Sequence, residues 1–549
     1  MIYSNLIRLT ILVSIVSASP ATNLVCTSTT KQEVLTNDSN TVYSNAVENT
    51  EAVNSAAAPM VTNTDSQQAE KMVIKNPKKE EPVTPEMFGA IGDGVIRKLS
   101  TKYASLDAAQ KDYPNVQDLD FTIDGAAFQK AVDFAAAKGG GEVIAKKNYA
   151  INFPIETKDD VTIDGQGAGI IYNDNSRSKT GLNNAFFLGN YHGAAFGTKG
   201  FKFYRISGRI KAGQDNANLT DDTDARSFKV GQIIMLCSIE KKIAAKSNKT
   251  ELPYQITISR ISKIDGSKLY FEHPVDEDME AVHVAANGNF DPAAQIPYEA
   301  VQNVTIRNFT IKARSWATRW YGYNCTIENL KVEGSEVLVV GNALVRSTIK
   351  NISGTFSYRC IEVKTGANYL TIDGINGVYK KIPSQKEPRS AISIGEYNRN
   401  ITIKNFTIDM GNLDILSDPV IGLSSRKTVI SDGKIYCKNQ SMVALRFYGD
   451  DMIKDEKLGC YDNKVINVDF YCSPKIKNYV FMGSGKVGDV DPTGNVVENC
   501  NFYGGSPKTI VALNGGKNNV LRNCNFTKAR LVKKPSFEGS SNTLEANKF

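Results

Sequence analysis

The chain has 549 residues and a formal net charge of +7, from 65 Lys and Arg against 58 Asp and Glu. The excess is small and no Lys/Arg run concentrates it, so the charge pattern does not indicate a nucleic-acid partner. The nine cysteines show no metal-ligand spacing, and we expect most of them to be core thiols rather than a disulfide framework.

The first 82 residues are predicted to lie outside the fold. An apolar stretch at 6–18 ends in Val-Ser-Ala, which predicts a signal peptide over residues 1–18 and export to the cell surface or the medium. It is too short to cross a membrane comfortably, and no other segment resembles a membrane span. Residues 19–82 are rich in Thr, Asn, Ser and Ala and predict a disordered linker. Lipidation at Cys26 stays open.

One helix is predicted near the start of the folded part, over residues 124–137. Asp124 is a suitable N-cap, the apolar residues repeat with helical spacing, and Gly139 follows the end. A helix ahead of a long series of strands suits a cap on the open end of a β-solenoid, which otherwise exposes an edge prone to pairing.

A short phrase, Thr-Ile-x-Asn, recurs through the second half of the chain. It ends at Asn308, Asn329, Asn351 and Asn405, and weaker copies continue to residue 547. The copies lie about 21–23 residues apart at first and roughly 24–37 later, a period typical of stacked repeats. Because the repeated unit is a strand, the pattern predicts an all-β parallel solenoid over residues 83–549. The asparagines are expected at tight left-handed turns, bonded to their equivalents in neighbouring coils.

Residues at about 215–290 interrupt this rhythm. They contain alternating apolar runs, and Asp265-Gly266 is a hairpin signal. We expect a small antiparallel excursion that forms one wall of a cleft.

A second strand lies between successive copies of the phrase and can be aligned by its apolar alternation. Its inward residues form a continuous apolar stack, and its outward residues form two rows. The first row is predicted as Val339, Glu362, Ser393, Gly422, Arg446, Phe481 and Ala512. The second is predicted as Gly341, Lys364, Gly395, Ser424, Tyr448, Gly483 and Asn514. Large polar groups at two ends of a floor of Ser and Gly, roughly 14 Å apart, predict a shallow groove.

The start of the folded part resembles the pectate-lyase-like superfamily, the rhamnogalacturonase/epimerase-type right-handed parallel β-helix. The resemblance rests on Phe-Gly-Ala-Ile-Gly-Asp-Gly at 88–94, the predicted helix and Gly-Gly-Gly-Glu-Val at 139–143. The preceding Val-Thr-Pro-Glu-Met-Phe-Gly is similar to phage tail-spike depolymerases. The resemblance implies a right-handed parallel β-helix that acts on polysaccharide by hydrolysis, β-elimination or epimerisation, and it does not choose among these reactions. The polygalacturonase signature, Asn-Thr-Asp followed by paired Asp and a Gly-His-Gly, is absent.

Candidate residues are present for two of these reactions, elimination and hydrolysis, and a non-catalytic function remains open. Elimination from an acidic glycan needs a base, Lys364 or Tyr448, and a cation for the carboxylate, Arg446. Hydrolysis needs two carboxylates, and the nearest partners for Glu362 are Glu396, at a strand end on the next coil, and Asp450 or Asp451, in the loop after Tyr448. The alternative is a glycan-binding or adhesive surface or spike protein. The residues expected to assist in binding are Trp316, Arg319, Trp320, Tyr321, Glu396 and Asp450.

No cofactor or metal is expected, with Ca²⁺ the one ion left open. The three histidines form no plausible metal set, and the chain has no HExxH, P-loop or nucleophile-elbow motif. The expected partner is a polysaccharide rather than nucleic acid or membrane. The chain is expected to be a monomer or a homotrimer.

Overall fold

The computed structural model describes most of the chain from Pro82 onward. The described residues all belong to one compact unit, Ser39–Phe549. They are residues 82–173, 185–188, 201–239, 253–280, 282–290, 301–312, 322–364, 366–381, 389–395, 398–411, 418–438, 443–448, 459–483, 491–506, 509–513, 516–533 and 541–549. The predicted signal peptide and all but the last residue of the predicted linker lie outside these ranges.

The N-terminal part contains the helices and the first strands. The helical elements are 3-10 turns at Pro85–Phe88, Leu99–Thr101 and Asp222–Ser227, and the α-helices α1 (Leu106–Asp112) and α2 (Ile123–Ala137). The strands before the repeats are β1 (Gly141–Ile144), β2 (Asn148–Ile151), β3 (Ile155–Glu156), β4 (Val161–Asn173) and β5 (Phe186–Phe187).

The middle of the chain adds a separate antiparallel sheet, and the repeats follow it. The excursion strands are β6 (Phe201–Arg205), β7 (Asn216–Asn218), β8 (Ile233–Ile239), β9 (Pro253–Asp265), β10 (Lys268–Phe271) and β11 (Val282–Phe290). The next strands are β12 (Val301–Gln302), β13 (Thr305–Lys312), β14 (Gly322–Tyr323), β15 (Thr326–Val340), β16 (Leu344–Val345), β17 (Thr348–Val363), β18 (Thr371–Tyr379), β19 (Ile392–Ile394) and β20 (Thr402–Asp409).

The C-terminal coils complete the solenoid. Their strands are β21 (Ile421–Leu423), β22 (Val429–Cys437), β23 (Val443–Phe447), β24 (Lys464–Cys472), β25 (Asn478–Met482), β26 (Val496–Glu498), β27 (Asn501–Gly504), β28 (Ile510–Leu513), β29 (Val520–Arg522), β30 (Asn525–Phe526), β31 (Arg530–Lys533) and β32 (Thr543–Glu545).

The long strands pair in parallel from one coil to the next, which confirms the predicted parallel β-helix. Twenty-one strands form one connected parallel system, and this strand order fits the right-handed β-helix that the resemblance implies. The repeated phrase forms one ladder, in which Ile327 of β15 lies beside Ile306 and Ile349 of the adjacent coils. All three isoleucines are essentially unexposed, so each coil buries its apolar side chains against the next.

The asparagine of the phrase takes the left-handed conformation predicted for it. Asn308, Asn329 and Asn351 have φ of 62°, 56° and 54°. Each amide also bonds to its equivalent in the preceding coil, with Asn329 Nδ2 donating to Asn308 Oδ1 at 3.0 Å and Asn351 Nδ2 donating to Asn329 Oδ1 at 3.0 Å. Where the phrase reads Asp-Gly instead, Gly374 supplies the same conformation with φ 73°.

The capping helix begins one residue earlier than predicted, and its N-cap is Thr122 rather than Asp124. Thr122 Oγ1 accepts from the amide of Gly125 at 3.2 Å. Asp124 is only 3% exposed and accepts from the amides of Ile91 at 2.8 Å and Ala150 at 3.2 Å. Threonine and aspartate are both good N-caps. Here Thr122 is the cap, and Asp124 connects the helix to the segments that contain Ile91 and Ala150.

The excursion is an antiparallel sheet, as expected, and it begins at β6, earlier than the predicted boundary. Its strand order is β6-β11-β8-β9-β10-β7, and the hairpin between β9 and β10 turns at Asp265 and Gly266. It has its own apolar core, separate from the core of the coils. The eight cysteines in the described ranges are buried and unpaired, as the sequence predicted for most of them.

Candidate functional site

The strands between the repeated phrases form a sheet of their own, which we call the site sheet: the second half of β17, then β19, β21, β23, β25, β28 and β31. Its register is the predicted one from β17 onward. Glu362 lies beside Ser393, Ser393 beside Gly422, and Gly422 beside Arg446. The inward residues of each strand, such as Ile361 and Leu445, are fully buried.

The predicted row is wrong by one residue at β15. Val340, and not Val339, lies beside Glu362, and Val339 lies beside the inward Ile361. The cause is a pair of irregularities in the β15–β17 ladder on either side of Ser335. A bulge of this kind shifts every later side chain by one position and so exchanges inward and outward faces.

Glu362 and Lys364 are buried, at 7% and 8% exposed, rather than open on a groove. Lys364 Nζ lies 3.1 Å from Glu362 Oε2. The same carboxylate accepts from Nη1 of Arg359, a residue with no exposed surface. Glu362 is therefore held between two cations.

Arg359 links this end of the site to Asp418, which precedes β21. Arg359 Nη2 lies 3.5 Å from Asp418 Oδ2, and Arg389 Nη1 lies 3.7 Å from the same oxygen. Burial alone would lower the pKa of Arg359, but the negative charges around it, Glu362 foremost, raise the pKa above its ordinary value. Both arginines lie over the ring of Tyr358, at 4.6 and 5.7 Å from its centroid.

Arg446 and Tyr448 form the other end of the site. The Arg446 guanidinium carbon lies 4.2 Å from the centroid of the Tyr448 ring and 5.2 Å from that of Phe481. Burial raises the pKa of Tyr448 to about 12, and the charges of Arg446, Asp418 and Arg359 also act on it. The phenol therefore keeps its proton at neutral pH.

The small residues between the two ends give space to the candidate side chains themselves. A methyl group on Gly422 would lie 3.0 Å from Cε2 of Tyr448, so the tyrosine leans back across the preceding coil. A methyl group on Gly395 would lie 3.4 Å from Cγ of Lys364, which leans forward across the following coil. Because Gly395 and Gly422 belong to neighbouring coils about 4.8 Å apart, the two ends form one compact cluster in place of a groove with an open floor.

Sequence reasoning missed Arg359, Arg389, Asp418 and Tyr358. The sequence does contain a signal for three of them. The inward isoleucines Ile361, Ile392 and Ile421 align with one another, and the residues three positions before them are Tyr358, Arg389 and Asp418. Extending the alignment by three positions would have shown a polar column at the start of the site sheet. The predicted binding residues Trp316, Arg319, Trp320, Tyr321, Glu396 and Asp450 lie outside the described residues.

Across the described ranges, no group of three or more His, Cys, Asp or Glu side chains is placed to hold a metal ion. In the same part of the chain, no helix has both the length and the apolar composition needed to cross a bilayer.

No protein-family model matches the chain, and no curated protein does. Among solved structures it is similar to the tailspike gp61 of Pseudomonas phage phi297, with 13% identity, 83% of this chain and 77% of that chain covered, and a TM-score of 0.48. It is also similar to the A-module of the Azotobacter vinelandii mannuronan C-5 epimerase AlgE6 (12% identity, 85% and 96% covered, TM-score 0.31). A third similar structure is the Streptococcus pneumoniae surface adhesin PfbA (13%, 85% and 93%, TM-score 0.33).

Proposed function

We propose that the cluster on the site sheet binds an acidic polysaccharide and that the chain cleaves it by β-elimination. The observation that carries this proposal is the charge balance of the cluster. Its described residues include four cations, Arg359, Lys364, Arg389 and Arg446, and two carboxylates, Glu362 and Asp418. Surplus positive charge in a partly buried site favours an anionic ligand, because low local polarity strengthens each interaction.

Elimination suits this cluster better than hydrolysis. A hydrolase needs one carboxylic acid that carries a proton, yet the two carboxylates among the described residues of the site, Glu362 and Asp418, both lie within ion-pair distance of Arg359. In elimination a base removes the proton next to the sugar carboxylate. The electron pair of that bond forms the new carbon–carbon double bond, and the glycosidic oxygen leaves with a proton from an acid. Cations stabilise the negative charge that builds up on the carboxylate.

The residues take distinct roles in this scheme. Arg446 pairs with the sugar carboxylate. Tyr448 keeps its proton, because burial raises its pKa to about 12, and it serves as the donor to the leaving oxygen. Lys364 is then the base. Since a lysine is an ammonium ion at neutral pH, the rate of cleavage is expected to increase toward alkaline pH.

One observation favours the alternative, a glycan-binding surface or spike protein without catalysis. Lys364 and Glu362 are both buried and lie 3.1 Å apart, as expected of an ion pair that stabilises the coil. If that is their whole role, Arg446 and Tyr448 bind the glycan and no base is present. Whether it cleaves the glycan or only binds it, the protein acts outside the cell, on the cell surface or secreted, as a monomer or a homotrimer.

Incubation with polygalacturonate, alginate and neutral dextran tests the proposal. Elimination gives an unsaturated product that absorbs in the ultraviolet, hydrolysis gives reducing ends without that absorbance, and the alternative gives binding with neither. Arg446→Ala is expected to abolish cleavage. Arg522→Ala, which removes a half-buried arginine paired with Glu498 on another sheet, is the matched control. Full cleavage by Arg446→Ala would refute the assigned site.

A further inference from the structure

A turn of each coil connects the site sheet to the next copy of the repeated phrase, and one residue of that turn is left-handed. In four coils this residue is asparagine: Asn303 (φ 55°), Asn324 (φ 54°), Asn400 (φ 53°) and Asn518 (φ 57°). The two coils between Asn324 and Asn400 carry Arg346 (φ 49°) and Tyr369 (φ 52°), and Lys427 (φ 50°) follows later. Asparagine tolerates this conformation well, whereas a bulky side chain is strained in it. Strain of this kind persists where it serves a function.

Arg346 and Tyr369 contact each other across the two coils. The Arg346 guanidinium carbon lies 4.4 Å from the centroid of the Tyr369 ring, and Tyr369 is still 40% exposed. No carboxylate lies within ion-pair distance of Arg346 in the described ranges. In the described ranges Arg346 is therefore a cation without an ion-pair partner, and it lies beside a partly exposed aromatic ring.

The excursion brings His273 to the same place. Its neighbour Glu272 binds the hydroxyl of Tyr323, and Tyr323 lies beside Val345, the residue that precedes Arg346. His273 is half-buried, and its pKa is lowered first by burial and then by the positive charge of Arg346. The adjacent Glu272 is already bound, because Tyr323 Oη donates to it at 2.8 Å and Arg260 Nε donates to it at 3.0 Å. The carboxylate nearest in sequence to His273 is therefore occupied by other groups.

We propose that Arg346, Tyr369 and His273 form a binding subsite for a uronate residue of an acidic glycan. The inference rests on the proposed function and extends its site around the coil, because Tyr369 follows Lys364 by only five residues in the same coil. Arg346 pairs with the sugar carboxylate, the exposed part of the Tyr369 ring packs against the sugar ring, and His273 bonds to a hydroxyl group.

Substitution with asparagine tests the subsite without the risk of misfolding. Arg346→Asn and Tyr369→Asn place at each turn the residue found at Asn324 and Asn400, so both variants are expected to melt at a higher temperature than the parent chain. Both are expected to bind polygalacturonate and alginate about ten-fold more weakly or worse, as for the loss of one charge-assisted contact. Lys331→Asn removes an exposed lysine from β15 and is expected to leave binding unchanged.

Titration calorimetry of these variants and of Arg446→Ala, together with the cleavage assay on polygalacturonate and alginate, separates the two proposals. Weaker binding by the two asparagine variants, with Lys331→Asn unaffected, supports the subsite. Unchanged affinity in Arg346→Asn and Tyr369→Asn, with loss of cleavage in Arg446→Ala, overturns the subsite and leaves the proposed function in place. Weaker binding in the asparagine variants, with Arg446→Ala unaffected, supports the subsite and overturns the assigned catalytic cluster. Absence of uronate binding by the parent chain overturns both.

Discussion

The excursion is attached to the coils through buried ion pairs, and breaking one of them should release it. Arg426 has no exposed surface, and its Nε and Nη2 donate to the two carboxylate oxygens of Glu277 at 2.9 and 2.8 Å. Arg399 binds both oxygens of Asp276 at 2.8 Å in the same way. Glu277→Leu leaves the Arg426 charge buried without its bidentate partner, which is expected to cost about 3–5 kcal/mol.

The double variant Glu277→Leu/Arg426→Met tests whether the buried, unpaired charge of Arg426 causes the loss of stability. Replacing both partners of a buried ion pair with apolar residues is often close to neutral, so the double variant is expected to recover most of the lost stability. Hydrogen exchange in the excursion segment 253–280 is the assay, with the coil segment 401–411 as internal reference. If Glu277→Leu leaves exchange in 253–280 unchanged, or if the double variant exchanges as fast as the single one, the ion pair does not hold the excursion in place.

Three further predictions concern the site, the ladders and pH. Gly422→Ala displaces the ring of Tyr448, because the new methyl group would lie 3.0 Å from it, and it is expected to reduce glycan cleavage or binding while the fold persists. Asn495→Ala interrupts a buried amide ladder and is expected to cost roughly 2–4 kcal/mol in chemical denaturation, against about 1 kcal/mol for Asn329→Ala in an exposed ladder. In acid titration of stability, Asp276 is expected to lose its contribution between pH about 4 and about 2.

The sign of the pH effect follows from the carboxylate at Asp276. Burial alone would raise its pKa, but Arg399 outweighs burial and lowers the pKa from 3.8 to about 2. A lowered folded-state pKa stabilises the fold above the unfolded value, and that stability is lost as the pH falls through the folded value. A pKa shift of this size corresponds to a loss of roughly 2–3 kcal/mol in the free energy of unfolding. Asp276→Asn should flatten this part of the stability curve, and an unchanged curve would contradict the assignment.

Separate controls apply to the two substitution series. Ser393→Ala changes the residue beside Gly422 in the same row without adding an atom, so it should leave cleavage and binding intact. A loss equal to that of Gly422→Ala would mean that the whole row is sensitive and that the contact with Tyr448 is not the cause. For the ladders, an equal loss in Asn495→Ala and Asn329→Ala would show that burial does not set the cost of breaking an amide ladder.

The fold was predictable from sequence because each coil repeats the same physical constraints. A strand that buries Ile306, Ile327 and Ile349 in register must be followed by a turn, and only a few residues adopt the left-handed conformation that the turn requires. The phrase Thr-Ile-x-Asn contains both the buried isoleucine of the strand and the asparagine of the turn within four residues. The bulge near Ser335 could not be predicted, because irregularities there change the pairing without changing the apolar alternation.

The candidate site was predictable only in part. The register placed Glu362, Lys364, Arg446 and Tyr448 in two adjacent rows, as the structure has them. Alternation along a strand shows which side chains leave the solenoid, but it does not show how far they lean toward the next coil. The sequence alone therefore suggested an open floor at Gly422, where the structure places the ring of Tyr448.

Glycines on the outer face of a β-helix thus have two opposite interpretations. A glycine beside short side chains leaves an open floor. A glycine one coil away from a long side chain instead leaves room for that side chain to pack over the glycine. Gly395 and Gly422 are of the second kind, since a methyl group on either would contact Lys364 or Tyr448. Two functional groups on such a surface can therefore lie closer together than their backbones do. Their separation depends on which neighbouring coil each side chain extends over. Applied to this chain, that rule brings the side chains of Lys364 and Tyr448 closer together than their backbones, which lie about three coils apart.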